Sequence, residues 1–152
     1  MILGIGIDVV HVDRFVRWND YPPHRLYRVF SEQEITDCRD TNGALVPEKL
    51  AIRFAAKEAF YKALSSALVN LELQFKPFAL LAVCRFIEVL YGAHGVPILH
   101  VEWKSLQGLG QFQLPKTISH LSMSHEKHCA VTMVLIEQND FEGLANIAAD
   151  PK

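Results

Sequence analysis

Asp8, Glu58 and Lys62 are the residues whose types and settings best fit phosphate chemistry. Asp8 closes the run Ile2-Leu3-Gly4-Ile5-Gly6-Ile7-Asp8. Strand alternation puts Leu3, Ile5, Ile7 and Val9 on one face and Gly4, Gly6 and Asp8 on the other. The run reads as a buried strand. Its two glycines beside one carboxylate predict an open patch of sheet that a ligand can approach closely. Glu58 and Lys62 stand four apart in the Ala-rich stretch 53–62, so they share one helix face. A strand carboxylate, a helix carboxylate and a lysine one turn on are parts from which a Mg²⁺–phosphate site is built. Plainer readings exist for each. Glu58 before Lys62 is the favourable order for a simple surface ion pair. Asp8 also suits a cap or a turn.

His125 ends the strand-like segment Leu121-Ser122-Met123-Ser124-His125, with Ser122 and Ser124 on the opposite face from it. A lone strand-end histidine is as readily structural as functional. His120, His125 and His128 lack the HxH or HxxxH spacing of a metal site. Gly4-Ile5-Gly6 has no third glycine in place and opens no helix, which excludes a dinucleotide fingerprint. No nucleophile elbow, P-loop or HExxH occurs.

The elements that must hold these residues follow from local pattern. Residues 2–10 predict a strand, and Val12–Trp18 a helix with Val12, Phe15 and Val16 on one side. Tyr21-Pro22-Pro23 interrupts it, and His24–Phe30 predicts a further helical turn or two. Ser31 with Glu34 three residues on forms a capping box. Pro47-Glu48 opens the longest helix, to about Leu68, studded with alanines that allow close packing on a sheet. Leu71, Leu73 and Phe75 alternate like a strand. Residues 86–91 and 96–103 predict a hairpin around a 92–95 turn, and Gln107–Pro115 a loop. Ile118–His125 and Cys129–Glu137 form a second strand pair, and a short tail helix is expected around Phe141, Leu144 and Ile147. Helices with antiparallel strand pairs give an α+β fold, as one domain over residues 1–152.

Composition narrows the functional classes. Half of the 152 residues are hydrophobic and about a fifth are charged, which excludes wholesale disorder. The high apolar share hints at surface buried between subunits. Net charge of −2 gives no case for a nucleic-acid partner. Arg14, Arg17, Arg25 and Arg28 nevertheless cluster near the N-terminus and point to an acidic partner, or else to a solvated basic stretch. Cys38, Cys84 and Cys129 form no CxxC pair, so a reducing compartment fits best. No apolar run reaches membrane-spanning length, and neither a signal nor a transit peptide is recognisable.

In its ordered blocks the chain resembles the small holo-acyl-carrier-protein synthases, the 4′-phosphopantetheinyl transferases. The first block is Gly4-Ile5-Gly6-Ile7-Asp8-Val9-Val10. The second, Arg53 to Ala63, matches the family's (F/W)-x-x-K-E-x-x-x-K signature through Phe54, Lys57, Glu58 and Lys62. The third, Leu121 to Lys127, resembles its "ISH" strand. Arg28–Glu34 and Phe86–Pro97 resemble the family's F-(S/T)-x-x-E turn and I-E-V…G-x-P hairpin. The resemblance implies that family's fold, an antiparallel sheet packed on a long Ala-rich helix. It also implies transfer of 4′-phosphopantetheine from coenzyme A to a serine of an apo acyl carrier protein, releasing 3′,5′-ADP, as in fatty acid biosynthesis.

On that resemblance, Asp8 and Glu58 would hold Mg²⁺, with Mn²⁺ an alternative. Lys62 would sit on the pyrophosphate, and Glu58 would take the serine proton directly or through water. His125 and Ser124 would line the nucleotide end, and Arg53 and Lys57 would pair with coenzyme A phosphates. Arg14, Arg17, Arg25 and Arg28 would dock the carrier protein. A homotrimer with sites between subunits is implied, located inside the cell: cytoplasm in a bacterium, mitochondrial matrix in a eukaryote. Where bacterial members carry a Gly-rich turn, this chain has Ser65-Ser66-Ala67-Leu68-Val69-Asn70. That departure keeps open a non-catalytic module binding coenzyme A or a carrier protein. A metal-dependent phosphohydrolase is a third reading.

Overall fold

The structure is a computed structural model that describes residues 1–139. The expected tail helix around Phe141 lies outside the described residues. The chain opens with β1 (Ile2–His11), a 3₁₀ helix over Val12–Asp20, α1 (Pro23–Leu26) and α2 (Glu32–Asp37). The long α3 (Pro47–Asn70) follows, then α4 (Leu80–Val83), the hairpin β2 (Ile87–Tyr91) and β3 (Pro97–Val101), and α5 (Trp103–Gly110). β4 (Thr117–His125) and β5 (Cys129–Gln138) complete the described fold. The main sheet has the order β1-β5-β4, antiparallel throughout. The hairpin is joined to it where Ser119 Oγ donates to Leu99 O at 3.2 Å.

Helix α3 is the spine, and its composition explains its position. Pro47 stands at its start, where a missing N–H is harmless. Ala56, Ala59, Ala63 and Ala67 are fully buried and let the helix come down onto β1. The strand answers with glycines. A Cβ on Gly6 would lie 2.1 Å from Ala59 O, and one on Gly4 2.1 Å from Ala63 O. The predicted ligand-accessible patch is therefore corrected: helix backbone occupies that space. Asn70 Nδ2, at the far end of α3, donates to Leu3 O at 3.0 Å and pins the helix along the strand.

This packing also reverses the expected face of β1. Ile5, Ile7 and Val9 are 55%, 58% and 60% exposed, while Gly4, Gly6 and Asp8 face α3. Leu3 joins the core instead of its alternation partners, because the register slips between Ile2 and Gly4. Across the sheet, Ile7 pairs with Met133 and Val9 with Val131, so the outer face is a broad apolar surface.

The capping box is present in full. Ser31 Oγ accepts from Glu34 N at 3.1 Å, and Glu34 Oε2 accepts from Ser31 N at 2.9 Å. Three local expectations are revised. The Val12–Trp18 helix is a 3₁₀ helix, burying Val12 and Phe15. Residues 71–75 pair with no strand, because Glu72 takes a left-handed φ of 52° that breaks the extended run. The 103–110 stretch is helical, burying Leu106 where a strand end and a loop were expected. No helix among the described residues is long and apolar enough to cross a membrane.

Two glycines separate close packing from mere presence. Gly6→Ala should lower stability by roughly 3 kcal/mol, since α3 backbone must move to admit a methyl group. Gly108→Ala, in α5 with nothing within 4 Å of its would-be Cβ, should stabilise by about 1 kcal/mol. Urea unfolding of both variants checks the pair.

Candidate functional site

Asp8 projects from the inner face of β1 and is 8% exposed. Lys62, one turn beyond Glu58 on α3, reaches it: Lys62 Nζ lies 2.8 Å from Asp8 Oδ1 and donates to Ile7 O at 3.0 Å. The lysine therefore does not form the plain helix-surface pair with Glu58; it bridges to the strand. Its side chain remains about half exposed, so the ammonium faces solvent as well as Asp8. Asp8 Oδ2 is buried and has no hydrogen-bond partner among the described residues.

Glu58 faces the same carboxylate. Its acidity is weakened first by burial, then by a hydrogen bond to Asp8 and by the Asp8 charge. Arg14 and Lys62 act in the opposite direction. Two carboxylates held together, one with an orphaned buried oxygen, form a donor set that suits a hard divalent cation with oxygen ligands. Asp8 and Glu58 are the residues that could hold one. Lys62 could meet an anionic group bound beside it.

Arg14 belongs to this neighbourhood, although sequence reasoning gave it only a docking role. Its guanidinium lies 5.3 Å over the ring of Phe54, one helical turn before Glu58. The signal was hidden because the contact joins the 3₁₀ helix to α3 across forty residues of chain.

The structure places other expected site residues elsewhere. Lys57 is fully buried, 2.9 Å from Glu34 Oε2, and donates to Ile87 O at 2.6 Å. An ammonium so enclosed is not available to a phosphate, so the expected coenzyme A contact from Lys57 is corrected to a structural ion pair. Arg53 is 2% exposed, donates to Lys49 O at 3.1 Å and lies 5.2 Å over the Tyr91 ring. Its Nε has no hydrogen-bond partner among the described residues, and it borders an open cleft with Asp37, Lys49 and Tyr91. That cleft lies on the hairpin side of α3, and neither Asp8 nor Glu58 lines it.

His125 and Ser124 end β4 on the far strand of the sheet, exposed and without a side-chain hydrogen bond among the described residues. Within one chain they are not brought to the Asp8–Glu58 pair. Residues 65–70, which carry no glycine, are the last turns of α3. Cys38 and Cys84 are buried, which pushes both thiols up to about 11, and all three cysteines are free.

With this geometry established, kinship can be read. The model of the 4′-phosphopantetheinyl transferase superfamily matches residues 4–130. The holo-(acyl-carrier-protein) synthase of Treponema denticola is 38% identical over 138 residues, covering 90% of this chain and 99% of its own. Among solved structures, the Chronobacterium ammoniagenes ACPS–CoA complex aligns with a TM-score of 0.69 at 29% identity, over 90% of this chain and 97% of that one. The holo-(acyl-carrier-protein) synthase of Bacillus anthracis in complex with CoA (3′,5′-ADP) aligns at 0.64 and 30% identity, over 91% and 99%. The chain belongs to the 4′-phosphopantetheinyl transferase superfamily, and its α+β architecture is the one those structures share.

The carboxylate pair has a stability consequence. Glu58 binds its proton more tightly folded than unfolded, so folding loses free energy as pH rises from the unfolded value through the raised one. Glu58→Gln removes that loss. It should unfold at a higher temperature than the parent at pH 7 without divalent cations, and the gap should narrow toward pH 4. Thermal unfolding of both proteins across that range, in chelator, measures it.

Proposed function

We propose that the protein is a holo-acyl-carrier-protein synthase acting on coenzyme A and an apo acyl carrier protein. The observation that carries this reading is the meeting of Asp8, Glu58 and Lys62 at the edge of β1 and α3. In the reaction, the serine oxygen of the carrier bonds to the phosphorus bearing pantetheine. The P–O bond to the second phosphate breaks, and 3′,5′-ADP leaves with the electron pair. Bound between Asp8 and Glu58, Mg²⁺ (or Mn²⁺) would supply charge neutralisation on the pyrophosphate. Glu58, with its raised proton affinity, accepts the serine proton directly or through one water. Lys62, exposed beside Asp8, stabilises the departing phosphate.

The outer sheet face supports assembly. Ile5, Ile7, Val9, Ile118 and Met133 are all more than a third exposed on adjoining strands, a patch that marks an interface. We assign it to a homotrimer with sites between subunits. A neighbouring copy then brings His125 and Ser124 to the nucleotide end, which one chain alone leaves unfinished.

Incubating the protein with apo carrier protein, coenzyme A and Mg²⁺ should add the mass of the phosphopantetheine arm to the carrier. A binding module would leave the mass unchanged, and a phosphohydrolase would release nucleotide without carrier. Asp8→Ala and Glu58→Ala should each abolish transfer with the fold intact by circular dichroism. Lys62→Met should lower kcat by roughly 10²–10³. Mg²⁺ at ten times its Kd should add about 1.4 kcal/mol of stability to the parent and not to Glu58→Ala. Ile7→Glu should yield monomers in light scattering; an intact trimer would refute the assigned interface.

A further inference from the structure

We propose that the carrier-docking surface extends beyond the N-terminal arginines onto α4, with Leu81 and Arg85 as specificity-determining contacts for an acidic amphipathic helix of the partner. The proposal rests on the transferase reading above for the partner's identity.

Two adjoining hollows carry it. One, of about 250 Å³, is lined by Trp18, Tyr21, Arg25, Arg28, Val29 and Leu81. The next, of about 200 Å³, is lined by Arg28, Leu81, Ala82 and Arg85. They share Arg28 and Leu81, so they form one groove from Trp18 to Arg85. Its floor is aromatic and aliphatic, and its rim is guanidinium. In α4, Val83 is fully buried while Leu81 is 37% exposed, so the helix turns one leucine outward into the groove.

The charge on the rim has no ion-pair partner among the described residues. The ion pairs of the described residues use Arg53, Lys57, Lys62 and His120, and none uses Arg25, Arg28 or Arg85. Arg25 stacks 5.4 Å over the Tyr21 ring, which holds its guanidinium at the groove edge. Three unpaired cations around an apolar floor, in a chain of net charge −2, complement a helix with carboxylates flanking an apolar side chain.

The groove also leads to the chemistry. Trp18 packs edge-on against Phe54 at 6.4 Å, and Phe54 carries the Arg14 guanidinium that faces Glu58.

The test uses the full chain, an apo carrier protein and coenzyme A. Binding of the carrier without coenzyme A is measured by calorimetry, and transfer by mass. Leu81→Ser and Arg85→Glu should each weaken carrier binding and raise the carrier KM at least ten-fold. Both should leave kcat and the coenzyme A KM within two-fold and the unfolding temperature unchanged. Arg85→Glu should also flatten the salt dependence of kcat/KM, and a carrier with a helix carboxylate reversed to lysine should restore part of the loss. Lys116→Glu, exposed elsewhere, controls for net charge. Carrier binding unaffected by Leu81→Ser and Arg85→Glu would overturn the proposal. A parent protein that binds the carrier but transfers nothing would overturn the catalytic reading alone, and the binding comparison would still decide the groove.

Discussion

The approach of α3 to β1 is the constraint on which the rest depends. Gly4 and Gly6 on the strand and Ala59, Ala63 and Ala67 on the helix leave backbone facing backbone, with no side chain between them. That closeness decides what Lys62 can reach. Its ammonium spans from the helix to both Ile7 O and Asp8 Oδ1. A methyl group at either glycine would push the helix outward and separate the carboxylates it carries together. The glycines were first read as space for a ligand. They are space for a helix, and the site is made at the edge of that contact, where Asp8 replaces glycine in the alternation.

The neighbouring residues Lys57 and Glu58 show how one helix serves two purposes. Adjacent positions on a helix point about 100° apart. Glu58 turns toward β1, while Lys57 turns toward the hairpin. There Lys57 donates to Ile87 O and Glu34 accepts from Val89 N at 2.9 Å. These are the outward-facing groups of an edge strand, so the buried ion pair stands where the next strand would pair. Removing one partner would leave both a buried charge and an unpaired backbone group. The Lys-Glu dipeptide of the signature thus divides into a half buried in an ion pair under the hairpin and a half turned toward Asp8.

What the sequence disclosed follows from what is local. The capping box, the proline start of α3, the β2–β3 turn and the alternation of β4 and β5 each need only a few neighbours, and each was legible. The outward face of Ile5, Ile7 and Val9 was not, because alternation says which residues share a face and not which face meets a helix. α5 was concealed by Gly108 and Gly110, which lower helix propensity although Leu106 is buried. Residue type and order singled out Asp8, Glu58 and Lys62, and the fold brings these three together. Burial of Lys57 was missed because its partner, Glu34, was already accounted for as a capping residue. Arg14 beside Phe54, and Leu81 beside Arg28, join segments far apart in sequence, where no spacing rule applies.

Three kinds of unsatisfied surface adjoin one another, and each calls for a different partner. Asp8 Oδ2 lacks a donor among the described residues and Glu58 resists ionisation beside it, which calls for positive charge. The outer face of β1 presents apolar side chains to water, which calls for another apolar face. The stretch that β1 runs into carries Arg14, Arg17, Arg25 and Arg28, none of them in an ion pair among the described residues, which calls for an acidic surface. A single strand and its continuation therefore organise all three deficits within a short span of chain. Stability alone would favour removing each of them. Their coexistence is understandable if the folded chain is one part of a larger assembly, in which cation, second copy and acidic helix meet along β1.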